Sequence, residues 1–161
     1  MKGKRILVVL SIISILSVLL ISAAAAAQGP FSASLSGSSE VPPVATDASG
    51  SFTAESNSAG TKLRVHLVVG RINDVVAAHI HCAPPGSNGP VGVTLYMGPP
   101  IDFGAKAVLA SATYSAPDAG NSCGWVTIAD VVAAMEAGGA YTNVHTVTVP
   151  SGEIRGNISG N

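Results

Sequence analysis

Histidine occurs at positions 66, 79, 81 and 145, and three of the four stand where their rings can converge. His79 and His81 close the apolar run Val75–His81, and residues two apart on an extended strand project from one face. Two imidazoles on one face can hold an ion between them. A third completes a trigonal or open tetrahedral set suited to copper or zinc. The segment Tyr141–Val147 offers it, because its alternation sets Tyr141, Asn143 and His145 on one side and Thr142, Val144 and Thr146 on the other. The expected ligands of a copper ion, with zinc as the alternative, are therefore His79, His81 and His145. Asn143, Glu153 and Arg155 are the expected surrounding residues, since a ligating ring is normally oriented through its other nitrogen.

The competing reading gives the same rings a scaffolding duty, hydrogen bonding to the backbone of the Pro- and Gly-rich loop Ala83–Pro90. Glu153 and Arg155 share a face and are otherwise expected to form a structural ion pair at a sheet edge. Glu40, ahead of Pro42 and Pro43, is expected to fix a corner. His66 alternates with Lys62 and Arg64 and belongs on the surface. No nucleophile, base and acid come together in the pattern, so no catalytic residue is assigned and an enzyme is not the expectation.

The elements that must position these rings are short strands. Phe31–Gly37, Ser51–Ser56 and Thr61–Val69 alternate apolar and polar residues, and turn-forming residues separate them. Gly70–Asp74 turns the chain into Val75–His81, the loop Ala83–Pro90 returns it as Val91–Tyr96, and Gly98–Pro100 begins an excursion. Ala105–Tyr114 is a further strand. Tyr141–Val147 and Gly152–Ile158 form a hairpin across Val149–Ser151. One helix is expected over Ile128–Ala137, capped by Thr127 with Asp130 in its first turn, apolar at Ile128, Val131, Val132 and Met135, and ended by Gly138 and Gly139. The fold class is all-β, an immunoglobulin-like Greek-key sandwich or flattened barrel with one short helix.

Lys2, Lys4 and Arg5 precede an apolar run, Ile6 to Ile21, and then Ala23–Ala27, which is the organisation of a cleaved signal peptide over residues 1–27. The run falls short of the ~20 residues a spanning helix needs. The protein is expected to be secreted or extracytoplasmic, in a periplasm or at a cell surface, with no membrane span after cleavage. Residues 28–161 form one domain and carry five basic and nine acidic side chains, which argues against a nucleic-acid partner. Cys82 and Cys123 are an even pair in an oxidising compartment, and a disulfide is the expected state. The rival makes Cys82 a thiolate ligand beside His81.

Several separated segments together resemble one family. Glu40-Val-Pro-Pro43, Ala77-Ala-His-Ile-His81 with Gly86-Ser-Asn-Gly-Pro90, Tyr141-Thr-Asn-Val-His-Thr146 and Gly152-Glu-Ile-Arg-Gly156 are similar to the CHRD domain, named for chordin and also found in secreted bacterial proteins. The resemblance runs from about Phe31 to Ile158. It implies an immunoglobulin-like all-β barrel in an extracytoplasmic protein, without a settled activity. His79-Ile-His81, the following loop and the late Val144-His145 also resemble the copper ligands of copper/zinc superoxide dismutase, a Greek-key sandwich. No histidine in the stretch 82–143 can bridge to a second metal, no zinc loop is present, and no arginine can be assigned from sequence to guide superoxide, although Arg155 is available. Three functions follow: a non-catalytic secreted module binding copper, a structural or protein-binding envelope module with an extracytoplasmic partner, and a dismutase-like redox enzyme.

Overall fold

A computed structural model describes residues 29–160; the expected signal peptide lies outside the described residues. Within them the alternating segments become strands. They are β1 (Phe31–Ser36), β2 (Ser49–Ser56), β3 (Leu63–Gly70), β4 (Ile72–Cys82), β5 (Val91–Phe103), β6 (Ala107–Tyr114), β7 (Ala140–Thr146), β8 (Ile154–Asn157) and β9 (Ser159–Gly160). A single α-helix, α1 (Ile128–Glu136), precedes β7. The ladders are antiparallel and run in the order β5-β4-β7-β8-β1-β2-β3-β6, with β9 beside β1. The architecture is the all-β flattened barrel expected, nearly closed.

Two halves make up that barrel. One is β5-β4-β7-β8 and the other β1-β2-β3-β6, and they meet at a narrow seam where Ser36 pairs with Arg155. Where the order ends, the Tyr114 hydroxyl of β6 donates to the Leu95 carbonyl of β5. The core follows from strand parity. In β3, Leu63, Val65 and Leu67 are fully buried while Arg64 and His66 face solvent, as the alternation dictates. Phe31, Phe52, Ile80, Val93, Val144 and Ile154 fill the space between the halves.

The helix forms as its signals require. Thr127 and Asp130 make a reciprocal capping box, and Ile128, Val131, Val132 and Met135 are buried. Gly138, with φ of 67°, leads the chain out.

Several strand boundaries shift by a residue or two from expectation, and two shift by more. The turn into β4 is tighter than Gly70–Asp74, because Arg71 takes a left-handed conformation, φ 54°, and the strand resumes at Ile72. The strand β5 does not end at Tyr96 but continues to Phe103. Its partners jump from Met97 opposite Ala77 to Ile101 opposite Val75, so Pro99 and Pro100 fall in an irregularity where the ladder asks no N–H of them.

Candidate metal centre

The outward face of β4, β7 and β8 holds every histidine of the expected set. Across the β4–β7 ladder, His79 stands opposite Asn143, His81 opposite Tyr141, and Ala77 opposite His145. Ile80 and Val144 point the other way, into the core. Diagonal neighbours on one face lie within reach of long side chains, which brings His145 to His79. His79 Nδ1 and His145 Nε2 are 3.0 Å apart. One ring nitrogen from each of His79, His81 and His145 lies within 4.8 Å of the others. Metal–nitrogen bonds of about 2.0–2.1 Å separate two ligands of one ion by roughly 3.3–3.6 Å, so a small inward closure suffices.

Backbone carbonyls determine which nitrogens are free. His81 Nδ1 lies 2.9 Å from Gly89 O, and His145 Nδ1 lies 3.0 Å from Pro150 O. A carbonyl only accepts, so both Nδ1 atoms carry the proton and both Nε2 atoms of the neutral rings carry a lone pair. That of His145 accepts from His79 Nδ1–H. That of His81 is buried and makes no hydrogen bond of regular geometry, although the Asn143 side chain acts on this ring. This is the orientation of a ligating histidine held through its far nitrogen.

The electrostatics keep the rings neutral. Burial, followed by the neighbouring His145 and His81, pushes His79 down to about 4 from the ordinary 6.5. Burial also lowers His81, against the pull of the Gly89 carbonyl, and His145, against that of Pro150. A metal needs unprotonated rings, so all three shifts favour coordination.

Although it is the outer face of a sheet, this surface is covered. His79, His81, Tyr141, Asn143 and Arg155 are all buried, and only His145 is half-exposed. The roof consists of the loop between β4 and β5, the corner at residues 40–43, and the turn between β7 and β8. Asn88 Nδ2 ties the first two together by donating to Val41 O over 2.7 Å. Gly152, at φ 120°, closes the third: a side chain there would collide with Glu40 and Asn143.

The expected surrounding residues divide. Asn143 sits on β7 directly opposite His79 of β4, its oxygen buried without a hydrogen bond. Glu153 does not address a ring: its oxygens accept from the hydroxyls of Thr46 and Thr146, each over 2.8 Å. Nor does it pair with Arg155, as the edge ion pair required. Arg155 is fully buried and donates to Ser87 O over 2.7 Å and Asn88 Oδ1 over 3.1 Å. Its guanidinium carbon lies 3.4 Å from the centroid of the Tyr141 ring. Cys82 is bonded to Cys123, which removes it as a thiolate ligand and fixes the strand end just past His81.

Glu40, Tyr141 and the Gly89 and Pro150 carbonyls were not assigned to the centre from sequence. Tyr141 shares the parity of His145, and its ring lies parallel to that of His81 with centroids 4.7 Å apart. Glu40 is buried to 5 % exposure, and its carboxyl is pushed up to about 7 by burial, with Arg155 and the Val41 N–H opposing. The Gly89 carbonyl lies in the loop whose backbone the scaffolding reading expected the rings to bond, but no signal singled out that residue or Pro150.

A family model described as the CHRD domain matches residues 31–158. No curated protein and no solved structure matches the chain. No helix among the described residues is long and apolar enough to cross a membrane.

Proposed function

The chain belongs to the CHRD domain family, and from that premise we propose that it is a secreted, non-catalytic module that binds one metal ion through His79, His81 and His145. Copper is the first candidate and zinc the second, because three imidazoles without carboxylate or thiolate suit either. The observation that carries the reading is the convergence of three neutral rings, one with a buried lone pair that makes no regular hydrogen bond. Export is supported by the leader at residues 1–27, by the disulfide between Cys82 and Cys123, and by the family. His79 and His81 on β4 and His145 on β7 would hold the ion beneath the roof loops, linking the two strands through their side chains.

The test is metal content. Mature protein incubated with copper or zinc and freed of excess by gel filtration should retain about one equivalent, and His79→Ala should retain none. A wild-type protein that elutes without metal ends the proposal. A second reading has its own support: His81 and His145 are hydrogen-bonded to loop carbonyls, and His79 to His145. On that reading the rings are scaffold for an envelope or protein-docking module, and His79→Ala lowers stability with no change in metal content. The redox alternative rests on the three rings alone and is decided by turnover of superoxide.

A further inference from the structure

We infer that Arg155 is the positioning residue of the three-histidine centre, fixing both the tautomer and the plane of His81; as a role in metal binding, this rests on the function proposed above. Two separate routes lead from the guanidinium to that ring.

The first runs through the loop. Nη2 holds Ser87 O and Nη1 holds Asn88 Oδ1, while Asn88 Nδ2 reaches Val41 O on the neighbouring corner. The next residue, Gly89, presents the carbonyl that takes the His81 Nδ1 proton. Loops rich in proline and glycine have no ladder of their own to fix a carbonyl's direction. Arg155 supplies two anchors immediately before the one that matters.

The second runs through Tyr141. Strand order puts His81 on β4 and Arg155 on β8, on opposite sides of Tyr141 on β7. The cation covers one face of the phenol ring and the imidazole lies parallel on the other, at an interplanar angle of 6°. The Tyr141 hydroxyl also accepts from Gly89 N–H over 3.2 Å, joining the two routes at one residue. A planar cation can donate in its plane and stack on its face at once. Lysine cannot do both.

A fully buried cation with neutral hydrogen-bond partners and an unpartnered Nε is costly even with the Glu40 carboxyl acting on it. A methionine of similar length would fill the space without that cost. The guanidinium earns its place by the direction it gives the loop and the ring.

The experiment reads the His81 tautomer directly, by long-range proton–nitrogen NMR on metal-free protein, and metal affinity separately, by zinc competition. Wild type should show one His81 tautomer with the proton on Nδ1. Arg155→Met and Arg155→Lys should each show a mixture, and zinc affinity should fall about 10- to 100-fold, the usual cost of losing an orienting partner. Circular dichroism checks that the fold is retained. A single unchanged tautomer and unchanged affinity in a folded Arg155→Met overturns the inference. Should that variant not fold, Asn88→Ala and Tyr141→Leu interrupt the two routes one at a time, and an unchanged His81 tautomer in both overturns it equally. Wild type that takes up no zinc, with a tautomer that still depends on Arg155, refutes the metal function and leaves the positioning role standing.

Discussion

Acidification should spare ion uptake by this centre over a range in which ordinary imidazoles fail. His79 sits at about 4 rather than 6.5. At about pH 5 a ring of ordinary pKa is only ~3 % neutral, whereas a ring at about 4 is ~90 % neutral. Three ordinary histidines would therefore lose roughly 10⁴-fold in affinity to proton competition between about pH 7.5 and pH 5. Withdrawing His79 alone from that competition reduces the loss to about 10³-fold, and the same-direction shifts of His81 and His145 reduce it further. The assay is zinc affinity by chelator competition across this range, alongside NMR titration of each ring in metal-free protein. A full 10⁴-fold loss, or a His79 that titrates near 6.5, refutes the reasoning that burial holds the rings neutral. The stability sign follows from the same shift. Between 6.5 and about 4 the unfolded chain binds more protons at His79 than the native one, so this ring's contribution is intact above 6.5 and is lost as pH falls through that window.

Glu40 works in the opposite direction. Its native value of about 7 exceeds the ordinary 4.5, so its contribution is intact below 4.5 and is lost as pH rises through about 7. Glu40→Gln should gain stability relative to wild type in urea melts above about pH 8 and show little of that gain near pH 4; a pH-independent difference contradicts this. Cys82→Ser combined with Cys123→Ser opens a loop spanning 41 residues and should cost about 3–4 kcal/mol in the same melts. Gly92→Ala drives a methyl group into the Trp125 ring and should cost about 1–3 kcal/mol, measured as a lower thermal midpoint with altered tryptophan fluorescence.

The pieces legible in the sequence were those governed by parity and by local capping. Leu63, Val65 and Leu67 announced the core face of β3, Thr127 and Asp130 announced the helix start, and the i, i+2 spacing of His79 and His81 announced a shared face. The β4–β7 pairing that brings His145 to them was a matter of two strands distant in the chain, reached by analogy with the alternation of each. What stayed hidden depends on non-local cover. The alternation of β7 reads as one buried side and one wet side, yet six of its seven residues are buried, because loops from three places close over the outer face. Pro99 and Pro100 read as a strand stop because an irregularity in pairing leaves no mark on composition. Glu153 and Arg155 read as a pair because opposite charges two apart usually meet, but Glu153 found Thr46 and Thr146 while Arg155 found Ser87 and Asn88 of the loop after β4.

The distribution of unsatisfied polar atoms bears on which reading of the centre is stronger. Among the described residues the buried side-chain atoms without a hydrogen bond are Glu40 Oε1, His81 Nε2, Asn143 Oδ1 and Arg155 Nε. None lies in the core between the two halves; all belong to the one covered outer face. Each such atom costs about 1–3 kcal/mol, and the barrel does not need these groups to close, since its apolar core is complete on the opposite side of the same strands. A face selected only to anchor loops would gain stability from apolar residues of similar size at these positions. Keeping an acid, a cation, an amide and an imidazole lone pair out of water at one spot is instead what a coordination centre and its supports require, where strain is retained for function. The scaffold reading predicts that apolar replacements such as Asn143→Leu and Arg155→Met change the stability of the metal-free protein without changing how much zinc the protein takes up. Stabilisation accompanied by loss of zinc affinity is the outcome expected of a metal centre, and the two measurements on one pair of variants separate the readings.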